Sequence, residues 1–469
     1  MKRKTIAIFA VIILLILGYL GIQKYSKKEI FYSTKSKEAL THYKKGVNFV
    51  LMYYIKDAKK EFSLAIEKDP NFPLPYIYLI MLSMNEKGKG ITNYYKKIAV
   101  PQKNWTKFEK DMVSIFMEFT QKRENIKGDE KFAGKIKELI NRYEKNIEIY
   151  PILLPMYKQA VGDTDKMIEY YEYLHEKFPN NAQIINELGY MYMRKRDYKK
   201  AENYFKKYIF VEPQNANPYD SIADLYYAGG DLKKAMQYYQ KALEIKPDFL
   251  NSKIKLSLCY INLGQVNQAL EILNSLEKNE KNEIIRNIVG MLKTFAYANI
   301  KDTERLRKLA ENSGKNCFSA IAKGFLFYLE KDKDNLAKLL NSYQDKCKDR
   351  FTKRSFLFFK TALLFWNHKD KEAFEIIKKF KSYDYSSTAI FKILAAKNLI
   401  KMKKFKEAEK QCEGLNEGDA SYIKMLIAKA KKDKENCVKF AKKLLEYYNE
   451  SDKNFYKRKE AELCLSQMQ

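Results

Sequence analysis

Apolar and small side chains return along the middle of the chain in a frame of 34 residues, marked by Pro179, Pro213 and Pro247. Leu188-Gly189, Tyr192, Ala201, Phe205 and Tyr208 recur one frame later as Ile222-Ala223, Tyr226, Ala235, Tyr239 and Ala242. Leu154, Met167, Tyr171 and Leu174 extend the register backwards, and Leu256-Ser257, Tyr260, Ala269, Leu273 and Leu276 extend it forwards. The apolar positions follow helical spacing, so each frame predicts two antiparallel amphipathic helices. Small residues such as Gly189, Ala201 and Ala235 let the two backbones approach, and the aromatics fill the gap between them. Pro213 and Pro247 end the second helix, because proline cannot continue the hydrogen-bond ladder. One helix pair cannot bury its own faces, so neighbours must stack.

This spacing resembles the tetratricopeptide repeat, with small residues at the eighth and twentieth positions, aromatics at the eleventh and twenty-fourth, and a closing proline. Residues 148–283 read as four consecutive copies, and 39–72 as an earlier one through Gly46, Phe49, Ala58, Phe62, Ala65 and Pro70. The resemblance implies an all-α solenoid of helical hairpins wound as a right-handed superhelix. Beyond 283 the copies are degenerate: Gly324, Phe327, Asp332, Leu336 and Leu340 form one, Ala362, Phe365 and Ala373 another, and Ala396, Leu399, Phe405, Ala408 and Cys412 a third. A further helix pair is expected near 420–449, with a closing helix from Asp452 to Gln469. Residues 101–147 are helical but off-register. The expected organisation is an anchor at 1–28, partly irregular repeats at 29–147, regular repeats at 148–283 and degenerate repeats at 284–469.

The first 28 residues depart from this pattern. Lys2-Arg3-Lys4 precedes an uncharged run from Thr5 to Gln23. At helical rise this run reaches roughly 28 Å, the thickness of the bilayer hydrocarbon. No convincing small-x-small cleavage site follows it, so an uncleaved single-pass anchor is expected, with a cleaved signal peptide as the alternative. Three basic side chains and the amino terminus precede the run, whereas Lys24, Lys27 and Lys28 are offset by Glu29. That bias predicts a cytoplasmic N-terminus and an extracytoplasmic body at the inner membrane.

Composition narrows the function. The formal net charge is +30, but only 11 of the 88 basic residues are Arg. A Lys-dominated excess lacks the bidentate geometry of nucleic-acid readers, so no nucleic-acid partner is expected. His42, His175 and His368 are too far apart for a helical zinc motif, there is no Cys-x-x-Cys, and Gly88-Lys89-Gly90 lacks the rest of a phosphate loop. No catalytic constellation is visible, so neither an enzyme nor a cofactor is expected.

In the repeat family the first helix of each repeat lines a concave groove. Carried over, this implies Gln183, Asn186, Tyr190 and Met193 in one repeat, and Asn217, Asp220, Asp224 and Tyr227 in the next. The third repeat contributes Asn251, Ile254, Leu258 and Ile261, with Lys255 beside them. Such a groove would hold a protein or peptide partner. Residues 351–469 carry 27 basic and 16 acidic side chains, which supports an alternative reading as a basic adaptor for an anionic polymer or lipid surface.

All six cysteines lie between 259 and 464. Cys317 and Cys347 are equidistant from a turn expected at Lys331-Asp332-Lys333, and Cys437 and Cys464 from one at 449–452. Antiparallel helices would place each pair within bridging reach, and an extracytoplasmic body would supply oxidising conditions. The alternative is that all six are small apolar fillers.

Overall fold

The computed structural model describes residues 31–83, 89–280, 282–312, 317–343, 346–347, 350–380 and 385–468. The anchor expected at 5–23 and Gly88 of the excluded phosphate loop lie outside them. Among the described residues there is no strand, and no helix is long and apolar enough to cross a membrane. The chain divides into two units, one ending at Tyr170 and one running from Tyr171 to Gln469. The boundary falls inside the helix Thr164–Lys177.

The first unit opens with the hairpin Lys37–Leu51 and Ile55–Lys68. A Cβ on Gly46 would lie 2.6 Å from the Phe62 ring, so the small eighth position admits the aromatic sixteen residues on. Tyr43 and Val47 are buried, with Tyr43 packed edge-on against Phe72. The off-register stretch forms Lys107–Lys122 and Glu130–Arg142, opened by a Thr106–Glu109 capping box. Glu109 also accepts the Ser33 backbone N–H and hydroxyl at 2.9 Å, while Thr106 donates to the Phe31 carbonyl. Glu148 accepts the Tyr32 hydroxyl at 2.8 Å. Buried carboxylates thus strap the extended segment 31–36 onto the unit, and burial raises the pKa of both Glu109 and Glu148.

The second unit stacks hairpins in sequence order. Ala182–Arg194 pairs with Tyr198–Val211, Ala216–Ala228 with Leu232–Ile245, and Leu250–Asn262 with Val266–Asn279. Glu283–Asn299 and Thr303–Asn312 follow, then Cys317–Glu330 with Lys333–Tyr343 and Arg350–Trp366 with Asp370–Lys379. The C-terminal arm comprises Tyr385–Lys401 with Phe405–Lys410, Glu417–Lys431 with Lys434–Tyr447, and the single helix Tyr456–Met468. Asp197, Asp231 and Asp433 cap their second helices by accepting the backbone N–H three residues on.

Among the described residues, eight hairpins of this unit turn by one device. A left-handed residue ends the first helix, and the next N–H donates to the carbonyl five residues back, as Asp197 does to Tyr192 and Gln265 to Tyr260. The left-handed residue is Arg196, Lys301, Lys331, His368, Lys403 or Lys432 in six hairpins, and Gly230 or Gly264 in the other two. At these two the arm comes close. A Cβ on Gly230 would lie 2.7 Å from the Tyr385 ring, and one on Gly264 2.5 Å from the Phe455 ring. Asp452 donates its N–H to the Gly264 carbonyl at 2.8 Å and accepts the Asn267 N–H at 2.9 Å. Gln265 donates to Glu450 at 2.7 Å. Leu232, Leu263, Tyr385 and Ala389 form a shared apolar cluster. The arm is therefore clasped onto hairpins earlier in the chain, 155 positions from Tyr385 back to Gly230 and 188 from Asp452 back to Gly264.

Candidate functional site: a polar network beside an apolar pocket

Four of the expected groove residues form one charged network. Lys255 donates to Asp220 and to Asp224, both at 2.7 Å. Asp220, 2% exposed, also accepts the Ser252 hydroxyl at 2.7 Å. Asp224 accepts the hydroxyls of Tyr190 at 2.8 Å and Tyr239 at 2.5 Å. The repeat register creates this arrangement. Asp220 and Asp224 are one helical turn apart on Ala216–Ala228, and the next first helix, Leu250–Asn262, brings Lys255 against that face. Burial alone would pull Lys255 down, but the two carboxylates hold its ammonium above the ordinary lysine range.

The other expected groove residues are dispersed. Asn186 is buried on Ala182–Arg194, and Asn217 is buried with its amide donating to the Tyr208 hydroxyl. Met193 and Tyr227 are half-buried, and the Tyr227 hydroxyl accepts from Asn262 at 3.2 Å. Asn251 is exposed. The groove positions therefore mostly join repeat to repeat instead of presenting free hydrogen-bonding groups.

A second network, unmarked in the sequence, lies in the arm. Asp419, 3% exposed, accepts the hydroxyls of Tyr385 at 2.7 Å and Tyr448 at 2.8 Å and pairs with Lys457. Burial would raise Asp419, but Lys457 and the two hydroxyls hold its carboxyl below the usual range. Asp419 anchors the ring that covers Gly230 and, through Tyr448, a neighbour of the ring that covers Gly264.

Between the networks lies a cavity of about 350 Å³. Ile254, Leu258 and Ile261 line one side, Ile288, Leu292 and Phe295 the next, and Phe358, Ile390 and Phe391 the far side. Lys255 and the Asp419–Lys457 pair also reach its wall.

Cys317 is bonded to Cys347 with Cα atoms 5.6 Å apart, and Cys437 to Cys464 at 6.7 Å. Cys259 is buried and Cys412 half-buried, both unbonded. His42 meets Glu61 at 2.7 Å, and His175 contacts Lys207 at 3.0 Å. Among the described residues no group of three or more metal-capable side chains converges.

Two family models, both described as tetratricopeptide repeat, match residues 182–215 and 226–291. The chain therefore carries tetratricopeptide repeats within an all-helical stack. Solved structures similar to it include a tetratricopeptide repeat protein from Parabacteroides merdae, at 17% identity over 56% of this chain and 98% of that one, with a TM-score of 0.42. The tetratricopeptide repeat domain of P58(IPK) is 15% identical over 92% of this chain and 99% of its own, with a TM-score of 0.23. Yeast Tom70 is 16% identical over 92% and 97%, with a TM-score of 0.32. No curated protein matches the chain.

Proposed function

We propose that the chain is a membrane-anchored repeat scaffold that gathers protein partners at the extracytoplasmic face of a bacterial-type inner membrane, by binding and without a reaction of its own. The observation that carries this reading is the run of tetratricopeptide repeats across 182–291, since repeats of this type generally mediate protein–protein interaction. The uncharged run from Thr5 to Gln23 supports an anchor. The two bridged cysteine pairs fit an oxidising compartment.

Two experiments test the two halves of the proposal. A topology reporter fused after Gln469 should be active only outside the cytoplasm; a cytoplasmic signal removes the localisation. Proximity labelling from the same end should recover a defined, reproducible set of envelope proteins. Labelling indistinguishable from an anchored control that lacks the repeats removes the scaffold reading.

A further inference from the structure

We propose that the apolar pocket of the second unit is a binding site for one fatty acyl chain. Its volume of about 350 Å³ lies within the range of small-molecule pockets, about 300–1,000 Å³. Its wall is an aliphatic and aromatic belt that includes Leu258, Ile288, Phe295 and Phe358.

The polar groups along that belt are already engaged. Asn262 donates to the Leu258 carbonyl at 2.8 Å, and Asn299 to the Ile261 carbonyl at 2.9 Å. Lys255 is held by Asp220 and Asp224, and Lys457 by Asp419. A peptide entering here would bring one N–H and one C=O per residue into a wall whose amides are spent, and would lose its hydration without replacement. A methylene chain brings no such demand, and its transfer from water is favourable throughout its length. Met291 adds an unbranched, polarizable side chain that can adjust to a flexible guest.

This inference goes beyond the scaffold proposal and does not depend on it, because the ligand is measured on the chain without any protein partner. The test uses the purified full chain with a palmitate analogue carrying a diazirine at its tail. After irradiation, peptide mapping should place the adduct on Leu250–Asn262, Glu283–Asn299 or Arg350–Trp366. Excess palmitate should compete the adduct away. Leu258→Trp and Ile288→Trp, each checked for retained helix content, should each lower the yield about tenfold by filling the belt. Labelling confined to residues outside the cavity, labelling that palmitate does not compete, or yields unchanged in both folded variants would overturn the site.

Discussion

The turn at Arg196 and the turn at Gly264 share a left-handed residue and the same closing hydrogen bond, two frames apart in one repeat register. One carries a long cation and the other no side chain at all. Backbone conformation does not explain the difference, because Lys, Arg and His occupy the same conformation in six hairpins of the unit. A left-handed residue with a Cβ costs only about 1–2 kcal/mol, and the hairpin absorbs it. What separates the two turns is the neighbour: Arg196 is exposed, whereas Gly264 lies beneath Phe455 and Gly230 beneath Tyr385. Glycine is present at these turns because the arm comes close, not because the chain bends.

The comparison breaks most severely at Asp419. Asp419→Ala would leave Lys457 buried without its counter-ion and free both tyrosine hydroxyls, a loss of about 3–5 kcal/mol. Thermal unfolding should show the arm melting first, with Tyr385–Lys401 and Tyr456–Met468 losing amide protection. The same group sets a pH dependence. Its folded pKa is held below its unfolded value of about 3.9, so its contribution is complete above that value and is lost as pH falls through the depressed one. Wild type should therefore keep the arm docked at pH 5, and undocking between pH 7 and 5 would contradict the assignment.

Gly264→Lys, the residue found at the equivalent turn after Asn299, tests the neighbour directly. Left-handed strain plus displacement of Phe455 should cost about 2–4 kcal/mol, read as a lower denaturation midpoint. A change below about 1 kcal/mol would mean that the ring yields freely.

Ala235→Leu sharpens the comparison by disturbing a hairpin interior and leaving its turn alone. Ala235 is fully buried against Ala223, Tyr239, Leu256 and Cys259, so the added carbons should cost about 1–3 kcal/mol. In a stacked array the damage should stay near residues 182–283, seen as a local rise in hydrogen exchange. Arg196→Gly should change stability by less than about 1 kcal/mol, since Arg196 is exposed. A larger effect would return the explanation to the backbone.

The periodic part of the fold was legible because every signal for it is local. Gly189 facing Phe205 and Gly46 facing Phe62 are the small and aromatic positions of one frame, sixteen residues apart. The groove was only half legible. Register places Asp220, Asp224, Tyr190 and Lys255 on successive first helices, but it does not reveal that they satisfy one another. The clasp left almost no trace. Asp452 meets Asn267 across 185 residues, and neither position belongs to the repeat pattern. The one available signal was Gly230 and Gly264 standing where other hairpins carry a side chain, and a permissive turn is the simpler reading of such glycines until their neighbours are known.

The most direct measurement is hydrogen exchange on the full chain carrying Gly230→Lys and Gly264→Lys together. Protection should fall across Tyr385–Lys401 and Lys434–Met468 and at the two altered hairpins, while Ala182–Arg194 and Tyr198–Val211 keep wild-type protection. Unchanged protection in the arm, or an even loss along the whole second unit, would contradict a C-terminal arm clasped onto two side-chain-free turns.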